Sequence, residues 1–195
     1  MKVLKGGIMK IIKDEFFDTE DKIYKLINKS KPSSNYLFTV ENLKESAGWV
    51  YITGKIDESE YSINYSSAIF DHYWIIQFFA EIINLKDEIV IFLDYEGSYP
   101  MLYAKKADNN TVRFIFAHDY ILFKKDENDD DCLPLYKIEC DILINKKELL
   151  EKFYNIIYPH IMNYDEKYAY DNYFDIKKAK KYLKQIKTFL DKKSS

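Results

Sequence analysis

Asp94 and Glu96 stand two residues apart in "FLDYEGSYP", at the end of an apolar run. Side chains alternate along an extended strand, so the two carboxylates share one face and Tyr95 takes the other. Carboxylates placed in this way can hold Mg²⁺ or divide acid and base work between them. A metal-dependent nuclease of this kind also needs an acidic-x-Lys element on the next strand. The next strand reads "LYAKK", with Ala104 where the acid would stand ahead of Lys105 and Lys106, so the constellation is incomplete. The simpler reading takes Asp94, Glu96, Gly97 and Pro100 as the polar end of a core strand, where the chain turns.

His118 and Asp119 follow one another after a strand-like run and offer a base with an orienting acid, but no nucleophile signature accompanies them. His72 has no His or Cys three or four residues away with which to share a metal. His160 is remote from both in sequence, so the histidines do not define a site. The glycines stand at 6, 7, 48, 54 and 97, and none forms a phosphate-cradling loop, which argues against a kinase, a GTPase or a dinucleotide-dependent dehydrogenase. No cofactor and no metal are expected.

These residues must be positioned by a chain of 195 residues, 47% of them hydrophobic, which is enough for one substantial core. A single α+β domain over residues 1–195 is expected. The 18 tyrosines and 13 phenylalanines occur beside a basic complement that is nearly all lysine, with Arg113 the lone arginine. That bias fits an AT-rich coding sequence, so the tyrosines do not count as base-stacking evidence. A net charge of -3 argues against a global polyanion binder, since phosphate affinity comes from clustered cationic charge. No apolar run approaches the length of a membrane span, and lysines interrupt the amino-terminal "MKVLKGGIMK". A cytoplasmic protein is expected, with Cys132 and Cys140 as free thiols.

Hydrophobic patterning supplies the elements. "GIMKIIK" reads as a short strand, and Asp18 to Ser30 as an amphipathic helix with acids first and lysines last, matching the helix dipole. "YLFTVEN", a loop, "GWVYITGK" and "EYSINY" form an antiparallel meander. Ser67 to Leu85 is apolar on most faces and must be a buried central helix, capped by Ser66 or Ser67. "EIVIFLDYEG" has the continuous apolar character of a sheet interior, and "MLYAKK", "ADNN" and "TVRFIFAHDY" read as a hairpin. In its second strand, Val112, Phe114 and Phe116 share one face, and Arg113, Ile115 and Ala117 the other. "LPLYKIECDILI" returns as a strand. Asn145 caps the helix that follows, with Glu148 three residues on as in a capping box, and Pro159 ends or kinks it. The last helix aligns Ile176, Ala179, Leu183, Ile186 and Leu190. The expected fold is a mainly antiparallel twisted sheet packed against the central helix and two carboxy-terminal helices.

Two charged surfaces remain. Lys177, Lys178, Lys180, Lys181, Lys184 and Lys187 form the solvated side of the last helix. Asp126, Glu127, Asp129, Asp130 and Asp131 form an acidic loop that can steer a basic protein. The run from "WIIQFFAEIINL" through "FLDYEG" and the hairpin to "INKKELLEKFYNII", about Trp74 to Ile157, resembles small bacterial immunity proteins that accompany polymorphic toxins, including those of contact-dependent growth inhibition. The resemblance implies a noncatalytic protein that binds the carboxy-terminal domain of a cognate toxin, with no nucleic acid or membrane as partner, and that is a monomer or weak homodimer. The family has no universal functional residues to carry over. The tentative contact residues are therefore Asp94, Glu96, Asp126, Glu127, Asp129, Asp130 and Asp131. A metal-dependent nuclease or hydrolase using Asp94 and Glu96, and a regulatory protein-binding module, are the alternatives.

Overall fold

The computed structural model describes residues 9–11, 20–66, 72–93, 100–121, 134–163 and 175–192. They form an α+β fold in the order β1 (Met9–Ile11), α1 (Glu20–Lys29), β2 (Phe38–Ser46), β3 (Trp49–Ile56), β4 (Ser59–Ser66), α2 (His72–Ile82), β5 (Glu88–Phe92), β6 (Met101–Lys106), β7 (Thr111–Ile121), β8 (Pro134–Asn145), α3 (Lys146–Met162) and α4 (Ile176–Leu190). The strands divide into two sheets: a five-stranded one ordered β1-β5-β6-β7-β8 and a three-stranded one ordered β2-β3-β4. Pairing is antiparallel except between β1 and β5, which run parallel. The expected single sheet is thus two sheets sharing a core.

The meander is tighter than its sequence suggests. β2 continues to Ser46, and Ala47-Gly48 alone connect it to β3, at φ 52° and 82°. Positive φ at both turn residues matches the right-handed twist of a two-residue hairpin, which is why the chain needs no longer loop there. Asp57, at φ 52°, turns β3 into β4, and its carboxylate accepts from Leu37 N at 2.8 Å, pinning the start of β2 to that turn. Val50, Ile52, Tyr61, Ile63 and Tyr65 alternate inward toward the core.

The five-stranded sheet is covered on both faces. Ile91, Leu102, Val112, Phe114 and Phe116 join the main core with α2, α3, α4 and the meander. Val90, Phe92, Met101, Tyr103, Ile115 and Ala117 form a second core with Ile27 of α1. The alternation along β7 is therefore as its sequence predicts. The main core is aromatic at its centre: Phe114 lies 6.2 Å from Phe38, 6.5 Å from Phe79 and 6.0 Å from Phe153, ring centroid to centroid, and Phe79 stacks on Phe153 at 4.1 Å.

Asn145 caps α3 as expected, its side-chain oxygen accepting from Lys147 N at 2.9 Å and Glu148 N at 3.4 Å. Pro159 does not end that helix, which runs on to Met162. Ile157 and Ile161 are buried on either side of the proline, and this packing holds the last turn in place despite the missing amide. Ser66 pairs with Trp49 as the last residue of β4, so it does not cap α2, and Ser67 lies outside the described residues. Among the described residues no helix is long and apolar enough to cross a membrane.

Arg113 joins α1 to the sheet. Its Nε and Nη2 donate to Asp141 Oδ1 and Oδ2 at 2.8 and 2.7 Å, and Nη2 also reaches Ile27 O at 2.9 Å, Ser30 O at 3.1 Å and Ser30 Oγ at 2.7 Å. A forked guanidinium matches a carboxylate in two bonds, and the remaining contacts satisfy carbonyls at the end of α1. We expect Arg113→Met to cost about 3–5 kcal/mol, because Asp141 is left without its cation. Urea denaturation checks the magnitude, and hydrogen exchange should quicken first in α1.

Candidate functional site

Two β-bulges and a sheet junction build the candidate site. In the β2–β3 ladder the register steps from Val40↔Gly54 to Asn42↔Thr53, leaving Glu41 unopposed. In the β7–β8 ladder it steps from Phe116↔Cys140 to Ala117↔Ile138, leaving Glu139 unopposed. A bulge bends its strand and re-aims the extra side chain. Both extra residues here are glutamates, and both line one open cleft of about 440 Å³, together with Thr53, Gly54, Glu60, Tyr61, Ser62 and His118.

Each bulge also changes which face the rest of its strand presents. Before Glu139, Tyr136 and Ile138 pack on the α1 side of the sheet; after it, Cys140, Ile142 and Ile144 pack in the main core. The apolar positions are all even-numbered, so period alone places them on one face, whereas the extra residue splits them between two. On β2, Phe38 and Val40 contact the main core before Glu41 and Leu43 contacts it after, again on opposite parity.

The floor of the cleft rests on Gly54. Tyr61 Oη donates to Thr39 O at 2.8 Å, Thr39 Oγ1 donates to Glu41 Oε1 at 3.1 Å, and Lys55 N donates to Thr39 Oγ1 at 3.0 Å. The Tyr61 phenol crosses directly over Gly54: a methyl group there would run into Thr39 O and come within 2.6 Å of Tyr61 Oη. Burial pushes the phenol pKa up, with Cys140 and the Glu41 carboxylate adding to the rise, so Tyr61 stays a neutral donor. The ring stacks on Phe38 at 5.7 Å and lies 6.3 Å from Phe116, linking the cleft to the core.

His118 closes one side. Its ring sits edge-on to Phe116 at 4.7 Å, and Nε2 lies 2.8 Å from Ser62 O. A carbonyl only accepts, so Nε2 is the donor in this contact. Lys137, opposite His118 in the ladder, lies 3.0 Å from Glu139 Oε1 at the rim. Three carboxylates from β2, β4 and β8 therefore border the cleft. Among the described residues no group of three His, Cys, Asp or Glu side chains is placed to hold a metal ion. The arrangement suits an ammonium or guanidinium group, which carboxylates engage by charge-assisted hydrogen bonds.

The sequence-derived contact residues Asp94, Glu96, Asp126, Glu127, Asp129, Asp130 and Asp131 lie outside the described residues, as do Cys132 and the side chains of His72 and Asp119. Of the other histidines, His118 lines the cleft and His160 Nε2 lies 3.3 Å from Glu45 Oε2, between α3 and β2. Sequence reasoning missed Glu41, Glu60 and Glu139; a glutamate in a strand gives no sign that it occupies a bulge. The lysines of α4 are outward as expected, and several meet nearby groups: Lys178 lies 3.2 Å from Asp175 and 4.7 Å from the Tyr73 ring centroid, and Lys187 lies 2.7 Å from Asp191. Comparison of the chain with protein-family profiles, curated proteins and solved structures finds no match.

Gly54→Ala should cost about 2–3 kcal/mol by overpacking, whereas Tyr61→Phe, which removes one hydrogen bond, should cost about 1 kcal/mol; chemical denaturation separates the two. Cys140 is buried and free, and burial first, then the Asp141 charge, pushes its thiol pKa up. Because the thiolate is the nucleophile, a disulfide reagent should modify Cys140 only at the rate at which the protein unfolds. Modification of Cys140 itself, located by peptide mapping, at the rate of a free thiol in the native protein would contradict this.

Proposed function

We propose that this chain is a noncatalytic, cytoplasmic immunity protein that neutralises a toxin domain, and that the cleft between its two sheets receives basic side chains of that domain. The observation that carries the reading is the meeting of Glu41, Glu60 and Glu139, from three strands of two sheets, on one open cleft. Two of these glutamates are held by bulges on strands that enter the core, so the acceptors are positioned by the fold. Pre-positioned acceptors spare a partner much of the ordering cost of binding. Their negative field raises the encounter rate with a basic surface. The resemblance of Trp74 to Ile157 to immunity proteins supports a toxin domain as the class of partner.

The test is co-expression with the tagged carboxy-terminal domain of the nearest large upstream gene product, scoring both complex formation and rescue of growth. A stable complex with rescue is expected. Replacing Glu41, Glu60 and Glu139 together by Gln should slow association roughly tenfold and flatten its salt dependence, with circular dichroism unchanged. A complex without rescue, or rescue and association indifferent to the triple substitution, would overturn the reading.

A further inference from the structure

Lys146, the first residue of α3, is only 6% exposed, and among the described residues it and Ser66 are the buried polar side chains. Its backbone N donates to Asn110 O at 2.8 Å, which holds it against the turn between β6 and β7. Other lysines reach carboxylates: Lys105 meets Glu88, Lys152 meets Glu148 and Lys187 meets Asp191. Among the described residues no hydrogen bond or ion pair engages Lys146 Nζ. The nitrogen is also not among the enclosed, unsatisfied atoms, so a covered stem ends in an amine that solvent reaches.

The charges acting on this amine are Lys106 at the end of β6 and Asp108 in the turn. Asp108 Oδ1 is already taken by Asn110 N at 2.7 Å and Thr111 N at 2.8 Å. The amino end of α3 adds the positive pole of a 17-residue helix. Burial, followed by Lys106, lowers the ammonium pKa, with Asp108 opposing. Burial and the Lys106 charge favour the neutral, nucleophilic amine over the ammonium, and Asp108 offsets them only in part.

We propose that Lys146 is an acyl-acceptor site, modified by small acyl phosphates whose phosphate is drawn to Lys106. The neutral Nζ attacks the acyl carbon, the new N–C bond forms as the C–O bond to phosphate breaks, and phosphate leaves with the electron pair. The proton lost from nitrogen passes to solvent, so the products are an amide and inorganic phosphate. The amide carries no charge, which relieves the desolvation that the ammonium suffers at this position.

Acetyl phosphate is the probe, and the occupancy of each lysine is read by peptide mass spectrometry on the full-length native chain. Lys146 should be acetylated severalfold more than the exposed lysines of α4, and the preference should vanish when the same reaction is run in urea. Lys106→Gln should lower occupancy at Lys146 and leave the α4 lysines unchanged. Occupancy at Lys146 no higher than on α4, or a preference that survives unfolding, would overturn the proposal.

Discussion

The pleat of β7 at Arg113 and Phe114 is the constraint on which the layers depend. These neighbours point to opposite faces of the five-stranded sheet. Phe114 packs among Phe38, Phe79 and Phe153, and so touches the meander, α2 and α3 at once. Aromatic pairs of this kind contribute about 0.5–1.5 kcal/mol beyond the area they bury. On the other face, Arg113 binds Asp141 and the carboxyl end of α1. One strand thus fastens the second core to the first. A shift of register by one residue would exchange the guanidinium with the ring, burying a charge among aromatics and exposing the ring to α1.

The same core reaches the cleft without a break. Phe38 stacks on Tyr61, Tyr61 crosses Gly54 to Thr39 O, and Thr39 Oγ1 holds Glu41. Three contacts thus lead from a buried aromatic pair to a surface carboxylate. Glu41 itself is exposed, and the Thr39 hydrogen bond is what ties its carboxylate to this packed chain of contacts. The two glutamates at bulges stand where the ladders are interrupted, so these local irregularities place polar groups on a surface whose surrounding strands are committed to the core.

Charge is distributed unevenly around this frame. The glutamates gather where β2, β4 and β8 meet, and the lysines gather on α4, whose apolar seam of Ala179, Leu183 and Ile186 is buried. The weak net charge of -3 conceals this separation. Lys146 is the exception among the described lysines, being the one that is buried.

The elements were legible because they depend on local order: the alternation of Val112 to Ala117, the helical spacing of Ile176 to Leu190 and the Asn145 cap all act within a few residues of chain. The continuous apolar run of β5 likewise foretold a strand with sheet on both sides, which its place between β1 and β6 bears out. Division into two sheets, the continuation of α3 past Pro159 and the role of Arg113 depended on partners far away in the chain. The cleft depended on them most. The sequence by itself determined which segments are helix or strand and that the fold is α+β. Only the tertiary structure decided that Glu41 and Glu139 occupy bulges, because an extra residue in a ladder is defined by what stands opposite it, and each of these strands finds its partner only when the sheets assemble.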